Sequence, residues 1–167
     1  MTISEYFRKL RGDILFHYTH ENNIESIEQK GSVIYSSSQL ISNGVNPSFI
    51  TDSNSRNIDY RLGYNNYVFL TFSHSHPMIY KKEQEGVPLI YYSIDVSILD
   101  IPGVKITDRI ATDNNVNIYT PEQAFETLDI KSCHDKVPKF TDDWYNVRKF
   151  EILIPSYIDL KQYTHQS

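Results

Sequence analysis

The chain is 167 residues long, with 40% hydrophobic, 13% aromatic and 22% charged residues, which fits one globular domain with its own core rather than a disordered chain. A net charge of -5 excludes a globally basic protein steered to nucleic acid by its field, so any such binding must use a local patch. The single cysteine, Cys133, excludes an internal disulfide, and without a membrane-length apolar run or a signal-peptide core the sequence predicts a soluble cytoplasmic protein.

Tyr6, Phe7 and Leu10 recur at helical spacing, with Thr2 or Ser4 as cap and Gly12 as stop, and predict a short helix over residues 1–12. Asp13 to His20 reads as a strand, and Ile24 to Lys30 as a helix closed by Gly31. A strand running into a helix N-terminus brings His17, Thr19 and Asn23 near free backbone N–H groups, a corner suited to a phosphate or an amide. Val33 to Tyr35 is a short strand. Ser36 to Asp59 is polar and broken by Gly44 and Pro47, which predicts either a long functional loop or a solvated connection, with Arg56 and Arg61 at its far end.

Tyr67 to Phe72 predicts a strand, followed by Ser73 to Tyr80. His74 and His76 in that stretch have no third ligand at a recognisable spacing, so no metal is expected. Val87 to Leu99 and Lys105 to Thr107 read as strands, and Thr120-Pro121-Glu122-Gln123 marks the start of a helix that buries Ala124, Phe125 and Leu128. Ser132 to Asn146 reads as a loop holding Cys133, His134, Trp144 and Tyr145.

That loop delivers the chain to an apolar strand, Val147 to Pro155. Alternation puts Phe150, Ile152 and Ile154 on one face and Glu151 and Leu153 on the other. A carboxylate in such a strand is costly unless it is partnered or opens into a cleft, although a glutamate on the wet face of an edge strand has the same pattern. With no repeat, low-complexity tract or linker, residues 1–167 form a single α+β domain whose strands outnumber its helices. The expected architecture is a mixed sheet with short flanking helices.

Three segments resemble one family, the DarT-like DNA ADP-ribosyltransferase toxins. Phe16 to Ile27 is similar to its opening strand and helix, with an aromatic-His-x-Thr-His pattern. Tyr67 to Tyr80 resembles its Tyr-x-x-Phe-x-Phe-Ser segment ending Pro-Met-x-Tyr. Phe150 to Pro155 looks like the strand bearing its catalytic glutamate, and Ile106 to Tyr119 is a weaker fourth match. His74, Ser75 and His76 depart from the family, which carries proline or arginine there.

The resemblance implies an ADP-ribosyltransferase-like split sheet gripping NAD as co-substrate, with no metal. It implies that His17 and Thr19 hold the nicotinamide amide and ribose, that Asn23 lies near the cofactor, and that Phe72 and Met78 pack around it. Glu151 would be the catalytic acid-base residue, and Arg61, or failing it Arg56, would support the NAD phosphates and the reaction. The implied reaction places ADP-ribose on a base of single-stranded DNA, with RNA a close variant, by a toxin with a partner antitoxin. For the nucleic acid, Lys139, Trp144, Tyr145 and Arg148 would meet backbone and unpaired base, although the same residues also suit a packed tryptophan under surface charge.

Fixed donors and carboxylates suit this chemistry. A carboxylate on the ribose stabilises the positive charge that grows as nicotinamide leaves, and it can take the proton of an attacking base. Two other readings fit the sequence: a protein ADP-ribosyltransferase or NAD glycohydrolase, and a binding module that keeps the fold without turnover. Lys149 stands where many protein-modifying relatives carry Glu or Gln, which weighs against a protein acceptor.

Overall fold

Strands of alternating apolar and polar residues build one central sheet in the computed structural model of the protein, which describes residues 1–49, 53–74, 76–130 and 141–164. Six strands, β1 (Ile14–His20), β3 (Tyr67–Thr71), β4 (Leu89–Asp95), β5 (Lys105–Thr107), β6 (Ile118–Tyr119) and β7 (Glu151–Pro155), lie in the order β4-β1-β3-β7-β5-β6. A separate two-stranded sheet pairs β2 (Val33–Tyr35) with β8 (Tyr157–Asp159). The α+β class stands, but the strands do not outnumber the helices: the described residues form eight strands and eight α-helices. Every ladder among the described residues is antiparallel, so the parallel part of the expected mixed sheet is absent there.

The pairing is uneven, and this positions the site. β1 pairs with β4 along its whole length, and β3 with β7 from Tyr67/Pro155 to Thr71/Glu151. Between β1 and β3 the register holds only Phe16 opposite Thr71. The sheet therefore parts between these strands beyond that pair.

Residues paired across strands face the same side. One row, Glu151, Thr71, Phe16 and Ser93, crosses β7, β3, β1 and β4. The other face carries Leu15, Val68, Leu70, Ile94, Ile152 and Ile154, which bury into the main core. Helix α1 (Ile3–Arg11) covers that core with Phe7, and it starts in a capping box between Thr2 and Glu5. Phe150, Ile152 and Ile154 join this core, while Leu153 packs with Tyr64 and Ala111 on the face of Glu151, as the alternation predicts.

Two expectations are corrected. Ser36 to Asp59 is not a plain loop, because helices α3 (Ser37–Ser42) and α4 (Ser53–Leu62) lie in or run out of it. α3 buries no residue completely, so it has no apolar stripe to read. The strand expected from Val147 begins only at Glu151. Val147 and Arg148 end helix α7 (Asp142–Arg148), whose cap Thr141 accepts the N–H of Trp144 at 3.3 Å. The other α-helices among the described residues are α2 (Ile24–Gln29), α5 (Pro77–Gln84), α6 (Pro121–Thr127) and α8 (Leu160–Tyr163).

Candidate active site

Glu151 opens β7 with only 8% of its surface exposed. Its main chain is fixed by Thr107 of β5: the Glu151 N–H donates to Thr107 Oγ1 at 3.2 Å, and Thr107 Oγ1 donates to the carbonyl of Arg109 at 2.6 Å. One carboxyl oxygen accepts the N–H of Ala111 at 2.9 Å. Burial pushes the carboxyl up to about 8; the Ala111 bond works against that rise, and the negative charge of Asp59 adds to it.

A cavity of about 560 Å³ opens where the sheet parts, and Glu151, His17, Thr19, Asn23, Arg56 and Met78 all line it. His17 Nδ1 meets the carbonyl of Phe69 at 2.8 Å across the split, so Nδ1 carries the hydrogen and Nε2 keeps its lone pair. Burial holds this imidazole below its ordinary value, hence neutral near pH 7. It offers the cavity an acceptor, suited to a hydroxyl.

Asn23 works as a clasp. Its Nδ2 donates to Thr19 Oγ1 at 2.9 Å and to the carbonyl of Ser48 at 2.8 Å, while its Oδ1 accepts the Ser48 N–H at 2.9 Å. The segment before α4 is thereby pinned to the end of β1. That segment presents Phe49, and the guanidinium of Arg56 lies 4.4 Å from the centre of its ring.

Other expected residues are placed differently. Arg61, first choice from sequence, is exposed on α4 and does not line the cavity, whereas Arg56 does. Phe72 is not beside the cavity: it shares the parity of Leu70 and Val68, turns to the core face and stacks near Phe7 with ring centroids 6.1 Å apart. Trp144 and Arg148, which the resemblance places against nucleic acid, are buried at 5% and 4% exposure with the guanidinium 4.6 Å from the centre of the indole ring, because α7 turns both inward; of the two readings, the structure shows the packed tryptophan. Tyr145 is partly exposed, and Lys139 lies outside the described residues.

Several cavity residues escaped the sequence reading. Asp59, one turn beyond Arg56 on α4, is pushed up to about 6 by burial. His76 caps α5 by accepting the Met78 N–H at 3.2 Å, and burial drives it down to about 4, so it is neutral. Asp59 carries no local motif, and Ala111 enters only through its backbone. The capping role of His76 was readable from the Pro77 that follows it. Among the described residues no group of three or more His, Cys, Asp or Glu could hold a metal, and no helix is long and apolar enough to cross a membrane.

A family model described as "ssDNA thymidine ADP-ribosyltransferase, DarT" matches residues 16–164. No curated protein matches the chain. Among solved structures, Thermosipho africanus DarTG in complex with ADP-ribose superposes with a TM-score of 0.70 at 21% identity, covering 90% of this chain and 42% of that one. The chain thus spans less than half of that protein's length. Thermus sp. 2.9 DarT in complex with ADP-ribosylated ssDNA gives 0.68 at 14% identity, covering 87% of this chain and 76% of that one. The same protein in complex with NAD+ gives 0.66 at 14% identity, with 90% and 78% covered. At these identities the likeness establishes the fold.

Proposed function

The chain belongs to the DarT family of single-stranded-DNA thymidine ADP-ribosyltransferases, and from that membership we propose that it moves ADP-ribose from NAD to a base of single-stranded DNA, releasing nicotinamide. The observation that carries this reading is the meeting of Glu151, His17, Thr19 and Arg56 on one cavity at the parting of the sheet. A volume of about 560 Å³ falls in the ordinary range for a small-molecule site.

In this reading Thr19 and the lone pair of His17 Nε2 orient the nicotinamide riboside half, and Arg56 meets the diphosphate through charge-assisted hydrogen bonds. Glu151 faces the ribose. As nicotinamide departs, positive charge grows on the sugar, and the fixed carboxylate stabilises it. The same carboxylate then takes the proton released as a base nitrogen attacks. Burial favours the neutral acid, so the cationic nicotinamide ring itself promotes ionisation of Glu151 when it docks beside it. Met78 supplies an apolar wall. The chain would act in the cytoplasm as a toxin restrained by an antitoxin protein.

The test is mass spectrometry of mixed single-stranded DNA and RNA oligonucleotides incubated with the protein and NAD. DNA should gain the mass of ADP-ribose, with fragmentation placing it on a base. Addition to RNA alone would move the acceptor, and NAD left intact under every condition would overturn the reading.

A further inference from the structure

The residues that line the cavity do not use all of the aromatic surface beside it. Phe16 stands in the same row as Glu151, two strands across, so roughly 10 Å separates them at the usual strand spacing. On that face Phe16, Tyr18, His74 and Tyr91 form one continuous group of rings. The His74 ring lies 3.8 Å from Phe16 and 4.7 Å from Tyr91, centroid to centroid, and Tyr18 lies 5.8 Å from Tyr91. The Tyr18 hydroxyl donates to the carbonyl of His74 at 3.1 Å and lies 3.1 Å from its Nδ1, which fixes the imidazole in place.

We infer that this group is a stacking platform for the base of a nucleotide flanking the modified one, in the single strand that enters the cavity. The inference rests on the function proposed above and names where its acceptor is gripped.

Four observations support it. Tyr18 belongs both to the platform and to the cavity lining, so the two surfaces are continuous. Tyr91 is 51% exposed and His74 is exposed as well, so these two rings present surface to solvent over the buried ring of Phe16. Tyr18 and Tyr91 are register partners on β1 and the edge strand β4, and such a pair is a common stabiliser of an edge; it gives no reason for a third ring, brought from the loop after β3, to be tied over it. Finally, burial raises the Tyr18 phenol and the negative charge of Glu83 adds to that rise, so this spot favours the flat, uncharged face of a base over a phosphate.

The experiment measures binding directly, so it does not depend on turnover. A fluorescently labelled single-stranded DNA oligonucleotide is titrated with wild-type protein, Tyr91→Ala, Tyr91→Phe and His74→Ala, with melting temperatures checking the fold. Losing one stacked base weakens binding by about five- to a hundredfold. Tyr91→Ala and His74→Ala should show a loss of that order, and Tyr91→Phe should retain most of the affinity. Abasic substitution at one flanking position should weaken binding to wild type but add little to the loss in Tyr91→Ala.

Wild-type affinity in both alanine variants, additive losses with the abasic site, or no binding of DNA by wild type would each overturn the platform. Wild type that binds the oligonucleotide and leaves it unmodified would overturn the proposed reaction, while the affinities still decide the platform.

Discussion

Ala111 donates its main-chain N–H to the carboxyl of Glu151 at 2.9 Å, so the loop after β5 holds the side chain that opens β7. A glutamine keeps the shape of that side chain and an oxygen for the same bond, while removing its charge and its capacity as a base. Glu151→Gln should therefore lower transfer by about a hundredfold or more with the fold intact. Circular dichroism and the mass assay check this together, and a folded variant with wild-type transfer would remove Glu151 from the chemistry.

The same substitution has a stability signature. Glu151 is raised from an ordinary value of 4.5 to about 8, so between these limits the folded state binds more protons than the unfolded one. Stability from this group therefore falls as pH rises from 4.5 towards 8 and changes no further above that. Relative to wild type, Glu151→Gln should gain melting temperature progressively over that window. A difference that is flat with pH would refute the buried, raised carboxyl.

Activity should run the other way. If Glu151 acts as proposed, the reaction uses its carboxylate, and kcat/KM for NAD should climb with pH through a limb near 8. Asp59 contributes negative charge that keeps the Glu151 proton on. Asp59→Asn should move the limb to lower pH, and a pH–rate profile that does not move would leave Asp59 without influence on the acid.

The arginines divide cleanly. Arg56 lines the cavity and Arg61 does not, so Arg56→Ala should raise KM for NAD about tenfold or more, the loss of a charged hydrogen bond. Arg61→Ala should change it less than about twofold, as expected for an exposed position. Steady-state kinetics at varied NAD compares the pair, and the reverse ranking would mean that the cavity is not the NAD site.

Asn23→Ala removes three hydrogen bonds that pin the segment around Ser48 to β1. A loss of about 2–3 kcal/mol in denaturant unfolding is expected, together with a raised KM for NAD. Unchanged stability would mean that the clasp is dispensable.

Much of this was legible along the chain because it depended on local periodicity. The parity of β7 separates Glu151 and Leu153 from Phe150, Ile152 and Ile154, and the capping box of Thr120 with Gln123 starts α6 where the sequence indicates. Parity places Phe72 with Leu70 rather than Thr71, on the core face, whereas the family resemblance implies a place beside the cofactor. Polar helices were missed because they bury too little to show a stripe: α3 has no fully buried residue. Strand-like Val147 belongs to α7, where the cap at Thr141 and the inward pair Trp144 and Arg148 decide the conformation. Asp59, Thr107 and Ala111 reach Glu151 from elements distant in sequence, and no spacing rule encodes such meetings.

The order β4-β1-β3-β7-β5-β6 also constrains when the site comes into being. β7 is the last of these six strands to leave the ribosome, yet it is the one that joins β3 to β5. Chain growth thus delivers both halves of the sheet before the strand that unites them, and that strand brings the carboxylate with it. Nascent chains short of residue 151 can contain His17, Thr19 and Arg56 but not the acid, so the cavity receives its buried carboxylate only when the sheet is joined.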